Sequence, residues 1–102
     1  MTHAVAGPVL PPAMLGVLGG GQLGRMFVHA AQTLGFRTVV LDPDADSPAG
    51  HVAHEHLHCA YLDADGLARM AEVADAVTTE FENVPAAALA ELARHRPVAP
   101  AA

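Results

Sequence analysis

Hydrophobic positions along the chain fall into short runs alternating with stretches of helical spacing. Met14 to Leu18 is a brief apolar run that stops at a cluster of glycines, as a buried strand does. From about Gln22 to Leu34, apolar residues recur at i, i+3, i+4, i+7, i+8 and i+11: Leu23, Met26, Phe27, Ala30, Ala31 and Leu34. That spacing predicts a helix burying one continuous face, with Arg25, His29 and Gln32 on the other side. Gly35 is placed to end this helix in the left-handed conformation. Arg37 to Leu41, with β-branched Thr38, Val39 and Val40, reads as a second strand, ended by Asp42-Pro43.

Further on, Asp44 to Gly50 has loop composition, and His51 to Glu55 has room for one helical turn. Leu57 to Ala60 is expected to be a third strand. A helix over Asp65 to Val73 follows, N-capped by Asp63, with Leu67, Met70, Ala71 and Ala74 as its apolar face. Ala76 to Thr79 is a fourth strand, leading into the polar segment Glu80-Phe-Glu-Asn83. Pro85 suits the first turn of a helix that runs to about His95 and stops before Pro97. Val98-Ala99 offers a fifth strand. This alternation predicts an α/β fold: a parallel sheet of four to five strands with helices on both faces, Rossmann-like in character.

The 102 residues suit one domain, with residues 14–102 forming it and Met1 to Ala13, rich in proline, expected to be a disordered tail. The net charge of −6 argues against a nucleic-acid partner, whose phosphates require a basic surface. No apolar run approaches the roughly 18 residues of a membrane span. The single cysteine, Cys59, allows no internal disulfide, and a cytoplasmic location is expected. All five cations are arginines. The lysine that often serves as a point charge on nucleotide phosphates is therefore missing.

The candidate chemistry lies beyond the carboxyl ends of the expected strands, where open parallel sheets bind ligands. Gly19, Gly21 and Gly24 fit G-x-G-x-x-G between the first strand and first helix, an arrangement that holds phosphate through backbone N–H groups. A bare βα turn explains the same glycines less fully. Gln22 stands at the helix start, able to offer its amide to a ligand hydroxyl. Asp42 suits either a ribose contact or the capping of its own turn. Glu80 and Glu82, two residues apart, point to one side of an extended segment, where they suit sugar hydroxyls or an amine. Asn83 is a candidate helix cap. His51, His54, His56 and His58 precede Cys59, but no second cluster completes a tetrahedral metal site. No metal site and no catalytic nucleophile–base pair is expected.

Three segments in this order and spacing carry a resemblance: Gly19-Gly-Gly-Gln-Leu-Gly-Arg-Met26, Leu41-Asp-Pro-Asp-Ala-Asp-Ser-Pro-Ala49 and Thr79-Glu-Phe-Glu-Asn-Val-Pro85. Together they resemble the N-terminal, pre-ATP-grasp domain of N5-carboxyaminoimidazole ribonucleotide synthetases. These are ATP-grasp ligases of purine biosynthesis. The folate-independent glycinamide ribonucleotide transformylases of the same superfamily are similar over the same elements. The resemblance implies that ATP and bicarbonate give carboxyphosphate, whose carboxyl group the amine of 5-aminoimidazole ribonucleotide captures. It further implies that Gly19, Gly20, Gly21, Gln22, Leu23 and Gly24 cradle the ribonucleotide, with Glu82 and more weakly Glu80 contacting its polar groups. ATP and Mg2+ would be held by central and C-terminal domains, so that this chain alone holds no cofactor and catalyses no ligation. Those domains are its expected partners, and the full-length family is expected to form homodimers. Two other readings stand beside it: an NAD-binding dehydrogenase domain, which leaves Glu80 to Pro85 unexplained, and a non-catalytic nucleotide-binding or interaction module.

Overall fold

The computed structural model describes residues 10–79 and 84–99. Its elements are β1 (Met14–Leu18), α1 (Gln22–Thr33), β2 (Arg37–Asp42), α2 (Pro48–Val52), β3 (Glu55–His58), α3 (Ala64–Val73), β4 (Ala76–Thr79), α4 (Ala86–Ala93) and β5 (Val98–Ala99). The five strands form one parallel sheet in the order β3-β2-β1-β4-β5. From β1 the chain winds one way to β2 and β3. It then crosses by α3 to the far side of β1 and continues to β4 and β5. The strand order therefore reverses between β1 and β4.

Alternation along the strands sorts the core into two layers. Val17 and Val40 pack with Val28 of α1 and Ala49 of α2 on one face. Met14, Leu18, Val39 and Leu41 pack with Leu67, Met70, Ala88 and Leu92 of α3 and α4 on the other. β1 and β2, central and covered on both sides, are the most thoroughly buried strands. Gly16 faces α3 so closely that a Cβ there would stand 2.5 Å from Met70 Sδ.

The helix ends follow local chemistry. Gly35 takes φ +94°, and behind it Gly35 N–H donates to Gln32 O and Phe36 N–H to Ala31 O, both at 3.0 Å. This double bond pattern closes α1 on a left-handed residue, as expected. Asp63 caps α3, accepting from Gly66 N–H at 2.7 Å. The expected α3 face is the one that packs, with Leu67, Met70 and Ala74 buried.

Three expectations are corrected. The buried stripe of α1 is Gly24, Val28 and Ala31, with Phe27 half-buried. Leu23, Met26 and Leu34 are 72, 67 and 68% exposed. Small residues win this face because they let the helix approach Val17 and Val40 closely. Gln32 is also turned inward, donating to Thr38 Oγ1 and Val52 O at 3.1 and 2.8 Å. Residues 48–52, within the expected loop and turn, form α2, because Ser47 caps it by accepting from Gly50 N–H at 2.8 Å and Pro48 sits in its first turn. β3 runs two residues earlier than Leu57 to Ala60. It is an edge strand rich in histidine, so no apolar run marks it.

Within the expected N-terminal tail, Ala13 N–H donates to Leu10 O, and Arg37 N–H to Ala13 O, each at 3.0 Å. Met1 to Val9 lie outside the described residues.

Candidate functional site

The carboxyl edge of the sheet is set by strand register. Leu18 pairs with Leu41 on one side and with Thr79 on the other, and Asp42 pairs with His58. The turns after β1 and β4 thus flank the point where the strand order reverses, with the turn after β2 on the other side of β1. Gly19, Gly20, Gly21, Gln22, Leu23, Gly24 and Asp42 lie together at this edge. Glu80 and Glu82, with Asn83, lie outside the described residues. They follow Thr79, whose hydroxyl donates to Leu18 O at 3.2 Å.

The glycine turn is built in steps. Gly19 takes φ +94°, which lets the chain leave β1 sharply, and its N–H donates to Leu41 O at 3.0 Å. Gly20 is gripped by the segment that follows β2. Its N–H donates to Asp42 Oδ2 at 2.6 Å, and its carbonyl accepts from Ala49 N–H at 2.8 Å. Its Cα lies against Ser47, so that a Cβ would overlap Ser47 Oγ and stand 2.9 Å from Ser47 Cβ. Gly21 then serves as N-cap of α1 with no side-chain hydrogen bond, and no acidic residue lies in the first turn. The first N–H with an intrahelical acceptor is that of Arg25, which donates to Gly21 O at 2.9 Å. The N–H groups of Gly21, Gln22 and Leu23 precede it and point out of the helix end with its positive dipole. Gln22 and Leu23 are exposed at this end.

Asp42 shows why residue type alone left its role open. It is 9% exposed, and both carboxylate oxygens have partners inside the protein. Oδ2 accepts from Gly20 N–H and, at 3.2 Å, from the Tyr61 hydroxyl. Oδ1 accepts from Asp44 N–H at 2.7 Å. The capping bond to Asp44 is the turn expected before Pro43. Tyr61 and Ser47 enter the site here without having been marked by the sequence motif. Ser47 carried a local signal, a serine directly before a proline. Tyr61 carried none.

The histidines are spread among separate partners. His56 Nε2 and His58 Nε2 lie 3.3 and 3.0 Å from the carbonyl oxygens of Asp42 and Pro43. His54 Nδ1 accepts from Thr38 N–H at 3.1 Å, and His51 lies beside Asp46. Among the described residues no cluster of three or more such groups is placed to hold a metal ion. Cys59, a free thiol packed against Gly66, has its pKa raised, first by burial and then by the negative charge of Asp63.

A parallel sheet whose strand order reverses beside a glycine-led helix start defines a Rossmann-like α/β domain. Residues 13–102 match the ribonucleotide synthetase preATP-grasp domain, and the chain belongs to that family. It is 44% identical over 90 residues, 88% of its length, to the N5-carboxyaminoimidazole ribonucleotide synthase of Brucella melitensis. Its structure is similar to N5-carboxyaminoimidazole ribonucleotide synthetase from Thermus thermophilus, with a TM-score of 0.80, 45% identity and 85% of the chain covered. It is also similar to N5-carboxyaminoimidazole synthase from Aspergillus clavatus, solved in complex with ADP and 5-aminoimidazole ribonucleotide (TM-score 0.70, 36% identity, 84% covered). The chain spans 25, 24 and 23% of these relatives' lengths, about a quarter in each case. Among the described residues no helix is long and apolar enough to cross a membrane.

Proposed function

We propose that this chain is the substrate-holding N-terminal domain of an ATP-dependent ligase that carboxylates 5-aminoimidazole ribonucleotide with bicarbonate in purine biosynthesis. The observation that carries the reading is the start of α1. It sits at the reversal of strand order, in a chain of this family, and among the described residues no side chain accepts from the outward N–H groups of Gly21, Gln22 and Leu23. The ribonucleotide's phosphate is a dianion suited to such a helix end.

In this reading Gly19 makes the turn, Gly20 anchors it, and Gly21 to Gly24 supply backbone contacts to the ribonucleotide. Gln22 offers its amide to a hydroxyl. Glu82, and more weakly Glu80, takes the remaining polar groups from the segment that follows β4 in sequence. ATP and Mg2+ are assigned to the parts of the relatives that this chain does not span. Carboxyphosphate forms there, and the bound amine attacks its carbonyl carbon as phosphate leaves. A homodimer and a cytoplasmic location belong to the same reading for the full-length enzyme.

The dehydrogenase reading requires an acid free to meet an adenosine ribose after β2. Asp42 already accepts three hydrogen bonds within the protein, which weighs against it. Calorimetric titration of the 102-residue chain tests the choice. The expected result is saturable binding of 5-aminoimidazole ribonucleotide, roughly tenfold or more weaker for Glu82→Gln on the scale of one charged hydrogen bond, with no ATP hydrolysis. Binding of NADH in place of the ribonucleotide would refute it.

A further inference from the structure

Asp42, the acid that ends β2, has a position that neither the glycine motif nor family membership assigns. Its carboxylate joins three separate loops: Gly20 from the turn after β1, Asp44 from its own turn, and Tyr61 from the turn after β3. All three donors are neutral, and among the described residues no cation is paired with the negative charge beside Gly20 N–H. Two consequences follow. The Gly20 N–H is spent within the protein, and an anion centred on Gly20 would meet the carboxylate. The next N–H groups along, those of Gly21, Gln22 and Leu23, point away from the clamp at the positive end of the helix. Gly20 cannot drift toward the ligand either, because Ala49 N–H holds its carbonyl and Ser47 fills the space beside its Cα.

We propose that Asp42, braced by Tyr61, is a positioning residue that sets the register of the anion site. It ties down Gly20 so that the substrate's phosphate is met by Gly21 to Leu23. The proposal rests on the ribonucleotide-binding reading given above. An asparagine at position 42 keeps the shape but presents an NH2 group where the carboxylate accepted a donor. One tie to the loop is lost, and so is the repulsion that keeps an anion off Gly20. Phenylalanine at position 61 keeps the half-buried ring and removes the hydroxyl bond to Asp42.

The test is an amide-resolved NMR titration of the 102-residue chain with 5-aminoimidazole ribonucleotide, comparing wild type, Asp42→Asn and Tyr61→Phe. In the wild type the amides of Gly21, Gln22 and Leu23 should move while Gly20 stays near its free position. Asp42→Asn should bind tenfold or more weakly, and its Gly20 amide should now move with ligand. Tyr61→Phe should bind about threefold more weakly, with the free Gly20 amide shifted upfield and the amides of β4 unchanged. A purely structural role would lower stability without extending the ligand response to Gly20. If Asp42→Asn does not fold, Tyr61→Phe decides the matter. Wild-type binding matched in affinity and shift pattern by the folded variants overturns this proposal alone. A wild-type chain that does not bind the ribonucleotide overturns it together with the functional reading.

Discussion

Gly20 has no room for a side chain, and the reason lies in a segment more than twenty residues away. Ser47 occupies the space where its Cβ would project, and Asp42 and Ala49 hold its peptide groups. Gly20→Ala should therefore push two turns apart. We expect a loss of about 1–3 kcal/mol, the usual scale for overpacking, read from urea unfolding; unchanged stability would show that the contact yields freely. Cys59 gives a second prediction at this scale. Burial, reinforced by Asp63, raises its thiol pKa. A folded value above the unfolded one means that the neutral thiol's contribution to stability is full below the ordinary thiol pKa. It is lost as pH rises through the raised value. Thiolate absorbance should thus appear at higher pH in the folded chain than in urea; an equal or lower midpoint would contradict the assignment. The glycine spacing was legible because it is a backbone requirement written directly in residue type. Asp42 was legible only as a pair of alternatives, because its choice between a ligand and a turn depends on where Tyr61 and Gly20 come to rest.

At the scale of elements, the strands of the sheet centre and the ends of the main helices could be read from local signals. Alternating or continuous apolar runs gave β1, β2 and β4, Gly35 gave the end of α1, and Asp63 gave the start of α3. What could not be read was the inward face of α1. Counting apolar residues favours the large side chains, Leu23, Met26 and Leu34, yet close packing on Val17 and Val40 selects Gly24, Val28 and Ala31. Periodicity reports a face, and the neighbouring sheet decides which one. Similarly, α2 was hidden in loop-like composition, although its Ser47-Pro48 start follows ordinary capping rules. The prediction at this scale compares the two faces of α1. Val28→Ala should cost about 2 kcal/mol by leaving a cavity, whereas Met26→Gln should change stability by less than about 0.5 kcal/mol. Chemical denaturation of both variants decides it, and the reverse order would return the helix to the orientation that periodicity suggested.

For the whole molecule, the winding of the chain does what no single element can. Sending β2 and β3 to one side of β1 and β4 and β5 to the other leaves the first glycine turn at the centre of one sheet edge. The turn after β2 holds that glycine turn from one side, and the chain leaves Thr79 of β4 on the other. The turns after β1 and β2 and the carboxyl end of β4, distant in sequence, thus meet at one edge. In the proposed function this domain holds one substrate, and the remaining chemistry is assigned to the parts of the relatives that this chain does not span. The most direct measurement is the map of backbone amide shifts as 5-aminoimidazole ribonucleotide is added to the chain. The account predicts saturable changes centred on Gly21 to Gly24 and extending to Glu82. Changes confined to the opposite edge of the sheet, or none at saturating ligand, would contradict it.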